Sequence, residues 1–469
     1  MSASPPPPPP PSARKLALFS VVGLLAGWLG SPRVEAAPSA DDCRQLPPGA
    51  YDPSTFSDPA TCAACHPQHF DEWRGSAHAY SVVDPIFWAA NEDSFETHEL
   101  EFFCVGCHSP VANLTTADAS LSHARGPEDL AEPARHGVSC DGCHRVFESR
   151  ADTHFYTPCA DWFFGPIADP LSSAPHGSTY VPEFEQSSFC TSCHNVTADQ
   201  VDTPEFDGVS IEFTGTEWTD ANNAAGGTAT DPAIQTCQDC HMPAYAGTAA
   251  VGGPPREVHN HQFVGGDVAM VPFPDSHRQY RAVQDLLQSA ASVDLGFDGQ
   301  TAQVLVTNHI VGHNLPTGSS YTRRVWIHFT VVGADGTVYL ESGDVDANGD
   351  LRDGYSEIDP WGDPWIANGD AVFRQYNYDA DGDEVPGTYE RVVTTEHNML
   401  GSGEVRTVEY ELDGHLPADA AWPVTVTAEL LYRSFPNFVL REHGIDEAVI
   451  ALVPTFEMAR GALVLEASR

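Results

Sequence analysis

Residues 61–66 read TCAACH, and the pattern inside them, Cys62-Ala63-Ala64-Cys65-His66, recurs four more times along the 469-residue chain. The repeats are Cys104-Val105-Gly106-Cys107-His108, Cys140-Asp141-Gly142-Cys143-His144, Cys190-Thr191-Ser192-Cys193-His194 and Cys237-Gln238-Asp239-Cys240-His241. The spacing has a physical reason. Two thiols three positions apart reach the two vinyl groups on one edge of a porphyrin, and the adjoining imidazole then lies under the iron as proximal ligand. Zinc sites or a disulfide scaffold would use paired cysteines too. Neither explains a histidine after the second cysteine every time, so five covalently bound c-type haems are expected.

Ten of the twelve cysteines are used in this way. Cys43 and Cys159 remain, and in an oxidising compartment they are expected to form one structural disulfide.

The N-terminus points to that compartment. Residues 1–36 read as an export signal: a proline run, Arg14 and Lys15, an apolar stretch from Leu16 to Leu29, then small residues at Val34-Glu35-Ala36. The apolar stretch falls short of the ~20 residues a spanning helix needs, and no later segment is apolar enough to span. The mature chain is expected to begin near Ala37, to carry no membrane span, and to work in the periplasm or at the cell surface.

The formal charge is −44, and removing Arg14, Lys15, Arg33 and Glu35 takes it to −46. So acidic a chain is a poor partner for nucleic acid. Lys15 is its only lysine.

Composition divides the rest. Residues 37–262 are rich in Cys, His, Pro and Gly and show little periodicity, and the motifs start 42, 36, 50 and 47 residues apart, too irregularly for a solenoid. This is read as a loop- and helix-rich pentahaem domain. Residues 263–295 hold Tyr280, Val283, Leu286 and Leu287 at helical spacing and are read as a helical linker. Residues 296–469 alternate with period two, as in Val304 and Val306, Val325, Ile327, Phe329 and Val331, and Val424, Val426 and Ala428, with Ala334-Asp335-Gly336 as a hairpin turn. An antiparallel β-sandwich follows, and the class is α+β.

The sixth ligand decides what each haem does. A second strong protein ligand closes the iron and leaves electron transfer, whereas an open position permits catalysis. Methionines are few, and Met242 adjoins proximal His241, so histidine must supply most of the distal ligands. His78 lies in WRGSAH shortly after the first motif, and His176 in a proline-rich loop before the fourth. His259 and His261 form a His-Asn-His pair after the fifth, where an extended backbone points both rings to one side, and His261 is favoured. His313 sits in GHNLPTG at a strand end, where it would bring the β-domain onto a haem. His136 and His98, just before motifs, are further candidates.

The stretch TCAACHPQHFDEWRGSAHAYSV, residues 61–82, resembles the first haem segment of the cytochrome c-552/4 family, which includes tetrahaem cytochrome c-554. HGVSCDGCH, SSFCTSCHNV, TCQDCHMP, VHNHQFVGG and GHNLPTG resemble pieces of multihaem cytochromes with a C-terminal β-domain. The resemblance implies closely packed, mostly bis-histidine haems passing electrons among redox partner proteins such as other cytochromes or a quinone-linked donor. It also implies His78 as a distal ligand. Five motifs rather than four mean that the tetrahaem ligand map does not carry over whole.

Electron transfer is therefore the expected function. The alternative is a reductase acting on nitrite, hydroxylamine or a related small nitrogen species at one open haem. The lysine-ligated catalytic haem of pentahaem nitrite reductase is excluded, because every motif ends in His and the mature chain has no lysine. Asp344-Val345-Asp346-Ala347-Asn348-Gly349-Asp350 matches the first half of an EF-hand loop, but the twelfth position is Tyr355 where a bidentate Glu is required. Calcium is thus a secondary expectation.

Overall fold

The computed structural model describes residues 45–98, 103–116, 124–150, 153–171, 174–196, 211–225, 235–352, 371–385 and 392–467. The expected export signal, Cys43 and Tyr355 lie outside them.

The first half is built from short helices. They include α1 (Pro67–Trp73), α2 (Ala77–Tyr80), α3 (Pro85–His98), α4 (Phe103–His108), α5 (Cys140–His144), α6 (Ser187–Thr191), α7 (Thr214–Ala224) and α8 (Cys237–His241), beside the short helical turns Pro59–Cys62 and Pro110–Thr115. Their starts are written locally. Pro67 opens α1, where the missing N–H is no loss. The Ser76 hydroxyl accepts from Ala79 N at α2. A capping box between Thr236 and Asp239 opens α8. Little strands brace these helices: β1 (Val146–Arg150) with β2 (Thr153–Tyr156), β3 (Trp162–Gly165) with β4 (Gly177–Tyr180), and β5 (Ala244–Thr248) with β6 (Pro255–His259). A small core of Tyr51, Val82, Phe87, Trp88, Val105, Val111 and Val146 holds this region.

Helix α9 (Ser276–Ala290) follows, and its buried face is Gln279, Val283, Leu287 and Ala290. Tyr280 is exposed at 39 %, its ring against Phe456 rather than in the core. The helix runs directly into β7 (Ala291–Phe297). The first sandwich strand therefore begins inside the stretch read as linker, because α9 itself packs on the sandwich core through Val283 and Leu287.

The second half is a two-sheet sandwich. One sheet orders β14 (Val405–Glu411), β8 (Thr301–Asn308) and β7. The other orders β10 (Val338–Ser342), β9 (Arg324–Gly333), β15 (Val424–Arg433) and β16 (Phe456–Leu465), with β11 (Val372–Phe373) also on β9. A third pair, β12 (Gln375–Tyr378) with β13 (Thr394–His397), lies outside both sheets. The expected alternation is realised: Val304, Val306, Val325, Ile327, Phe329, Val331, Val424, Val426 and Ala428 are all fully buried. Phe329 and Tyr410 stack at 3.9 Å across the two sheets. The Ala334-Asp335-Gly336 turn joins β9 to β10, with Gly336 at φ +86°.

No helix among the described residues is long and apolar enough to cross a membrane. The Asp344–Asp350 loop is occupied by its own contacts. Asp346 accepts from Asn348 N and Asp350 N, Asp344 pairs with Arg352, and Asp350 takes Phe438 N and Arg441. Its acids thus serve a turn and ion pairs, which leaves the calcium expectation unsupported.

Candidate haem sites

Each motif sits on roughly one turn of helix, so that the two cysteines and the histidine share one side. His66 N closes on Cys62 O at 2.8 Å and His194 N on Cys190 O at 3.0 Å. None of the ten motif cysteines is tied in a disulfide. Cys159 is disulfide-bonded, and its expected partner, Cys43, lies outside the described residues.

The motif imidazoles are aimed by one ring nitrogen. Nδ1 of His66, His144 and His241 meets the carbonyls of Ala249 (2.5 Å), Phe164 (2.7 Å) and Val264 (2.6 Å). His108 Nδ1 lies 3.3 Å from Ser81 O. A bond of this kind fixes the tautomer and leaves Nε2 as a metal ligand. Burial pushes the imidazoles of His66, His144 and His241 below their ordinary pKa, and that of His108 down to about 4, so they are held neutral.

Four motif histidines are each faced by a second imidazole. His66 faces His176 at 6.2 Å between ring centres, His194 faces His78 at 6.2 Å, His144 faces His261 at 6.4 Å, and His241 faces His313 at 6.3 Å. Interplanar angles run from 22° to 32°. A metal between two imidazole nitrogens at about 2.0 Å each, with ring centres about 1 Å further back, requires a separation of about 6 Å. The residues fit an iron between each pair. The facing rings are held in the same way, His176 by Gly177 O, His261 by His259 O and His313 by Asn314 O. His78 Nδ1 is buried without a partner.

The remaining candidates fall elsewhere. His136 faces no motif histidine, and its Nε2 is 4.0 Å from Asp58. His259 faces no motif histidine, and its Nδ1 meets Met242 O at 2.7 Å. His69 also faces His66, at 6.4 Å, so two imidazoles stand at a metal-spanning distance from that motif and His176, at 6.2 Å, is the nearer; the 4.5 Å between His69 and His261 is too short for an iron between those two. Against His108 lies Phe87, stacked at 4.1 Å, and no described imidazole faces it. The side chain of His98 is outside the described residues.

All five motifs line one branched cavity of about 1950 Å³. That exceeds the ~300–1,000 Å³ of a pocket for one small ligand. Thiols of different motifs lie side by side in it: Cys62 with Cys140, Cys107 with Cys193, and Cys190 with Cys237. The fourth motif therefore adjoins the second and the fifth. Cys143 of the third lies near Cys190 as well.

Residues 61–145, which contain the first three motifs, match the family model described as cytochrome c554 and c-prime. The whole fold is similar to the crystal structure of a penta-heme cytochrome c552 from Thermochromatium tepidum. The TM-score is 0.61 at 20% identity, over 88% of this chain and 100% of that one. The fold is that of a multihaem c-type cytochrome. No curated protein sequence matches it.

Three buried acidic groups escaped the sequence reading, because the residues that enclose them include ones distant in the chain. Glu72 accepts from His261 N (2.9 Å), Tyr245 Oη (3.0 Å) and Gln68 Nε2 (3.2 Å). Burial raises its pKa, but hydrogen bonds from His69 and these groups outweigh it and hold the carboxylate ionised. Glu217 gathers the loop that carries His313. Asp84 lines the cavity near Phe87.

Asp84 Oδ1 accepts from Ile86 N at 3.0 Å, and the titratable groups facing it are the Asp267 carboxylate and the neutral Tyr80 hydroxyl. Burial, aided by Asp267, lifts its pKa to about 7. A carboxyl with a raised folded-state pKa gives stability that is present at pH 4 and lost as pH rises through 7. Asp84→Asn removes that loss. We expect its stability gain over wild type to be near zero at pH 4 and to grow to a few kcal/mol by pH 8, measured by denaturant unfolding at each pH. A gain that does not vary with pH would show that Asp84 titrates normally.

Proposed function

We propose that the protein is an exported electron carrier holding five c-type haems, four of them bis-histidine through His66 with His176, His194 with His78, His144 with His261 and His241 with His313. The observation that carries this reading is the facing of four motif imidazoles by a second imidazole at 6.2–6.4 Å. A closed iron exchanges electrons and does not bind substrate. The bound haems supply the redox chemistry. The chain supplies ligands, exclusion of water, and an acidic surround that favours the oxidised form and lowers potentials.

The thiol contacts favour a branched order in which the first motif adjoins the third, the third the fourth, and the fourth both the fifth and the second. Cys65 and Cys240 are exposed, so the first and fifth motifs present edges to redox partners such as other cytochromes or a quinone-linked donor. The export signal and the thioether chemistry support a site outside the cytoplasm.

His108, which packs on Phe87, favours a second reading, in which that one iron acts on nitrite, hydroxylamine or a related nitrogen species. Intact mass and a reductive titration test the first. Five haem increments and reversible uptake of five electrons, with no turnover of nitrite or hydroxylamine, are expected. Sustained turnover would move the reading to the reductase.

A further inference from the structure

Helix α7 reaches from the segment just before the fifth motif to the loop joining β8 to β9, and its Gly215 N donates to His194 O of the fourth motif at 3.0 Å. The Glu217 side chain, 8 % exposed, reaches the loop joining β8 to β9. One carboxylate oxygen accepts from Asn314 N (3.1 Å) and Thr317 Oγ1 (2.6 Å), and the other from Asn314 Nδ2 (2.7 Å). Thr214, one turn earlier, meets Thr317 Oγ1 at 2.8 Å. Trp218, the next residue, does two things. Its indole lies under Gly312, where a Cβ would come within 2.9 Å of Cδ1 and where φ is +129°. Its Nε1 donates to Gln235 O at 3.1 Å, two residues before Cys237.

The loop held at both ends by these contacts is the one that carries His313. The carbonyl that aims the His313 ring belongs to Asn314, the residue whose N–H and amide Glu217 grips. A single helix thus ties the proximal segment of the fifth motif and the distal ligand's loop to one rigid body. Binding a ligand loop in this way sets ligand distance and angle without touching the metal.

We propose that α7 is the positioning element of the fifth haem: Glu217 is the positioning residue that sets His313 opposite His241, so that docking of the β-sandwich completes this one iron site. The inference rests on His241 and His313 being an axial pair, and the two fail differently.

The test uses the full holoprotein and compares Glu217→Ala, Glu217→Gln and His313→Ala by low-temperature paramagnetic resonance, carbon monoxide uptake and potentiometry. Glu217→Ala is expected to release His313 in part of the population, giving high-spin signal and carbon monoxide binding worth up to one haem per chain. Added imidazole should reverse it, and one potential only should move. Glu217→Gln keeps an acceptor oxygen for Asn314 and should stay within twofold of wild type in carbon monoxide uptake. His313→Ala should open the same haem completely. If Glu217→Ala does not accumulate as holoprotein, Thr317→Val removes one of the three bonds and is expected to open the same haem to a smaller extent. If His313→Ala opens an iron while Glu217→Ala, or Thr317→Val in its place, does not, the positioning role is overturned. If His313→Ala changes nothing, the axial pair itself is wrong.

Discussion

Arg145→Met is expected to destabilise the protein by about 3–5 kcal/mol, the usual cost of removing one member of a buried pair. Arg145 follows the third motif and is fully buried. Its guanidinium donates to Thr55 O at 2.8 Å and Thr157 O at 3.1 Å, and lies over the Phe56 ring at 5.2 Å. Asp141, inside the motif itself, is 3.9 Å away and 1 % exposed, and it takes Ser57 N at 2.9 Å. Burial raises the Asp141 pKa and lowers that of Arg145, and each offsets the other. Methionine fills much of the space but leaves Asp141 without its cation and two carbonyls without a donor. The double variant Arg145→Met, Asp141→Asn should recover part of the loss. Denaturant unfolding of the holoprotein measures both, and a loss below about 1 kcal/mol for the single variant would show that the pair is not a structural centre.

The second large effect separates two histidines that are neighbours in sequence. His261→Ala should open the iron of the third motif: one haem turns high-spin, binds carbon monoxide, and rises in potential by on the order of 0.1 V, within the ~0.8 V that axial ligation spans. The rise follows from losing a donor that stabilises the oxidised iron. His259→Ala should leave the four histidine-paired haems low-spin, because its ring, with Nδ1 on Met242 O, faces no motif imidazole. It costs only a hydrogen bond at the end of β6, about 1 kcal/mol. Spectra in which the two variants behave alike would mean that the pairing of His144 with His261 is misassigned.

The motifs and the sandwich were legible because both are local patterns. Five Cys-X-X-Cys-His units need no tertiary context, and strands whose residues alternate burial announce their inner face. His78, His176, His261 and His313 were legible as candidates, through their loops and neighbours, but not as partners of particular motifs. His78 faces His194, 116 positions away, and only the fold brings them together. His136 shows the limit of proximity as a signal, since closeness in sequence to Cys140 does not set its ring against a motif imidazole, and its Nε2 lies 4.0 Å from Asp58. The linker boundary shifted because a helix and a strand that share one core need no loop between them. Glu72 and Glu217 looked like surface acids in an acidic chain; nothing local distinguishes them from the many that are solvated.

The central claim is that four motif irons are closed by a second histidine. Low-temperature paramagnetic resonance of the oxidised protein, with the reduced spectrum before and after carbon monoxide, tests it most directly. At least four low-spin haems that take up no carbon monoxide are predicted, with any ligand binding confined to the haem of His108. High-spin signal and carbon monoxide uptake amounting to two or more haems per chain would contradict the account.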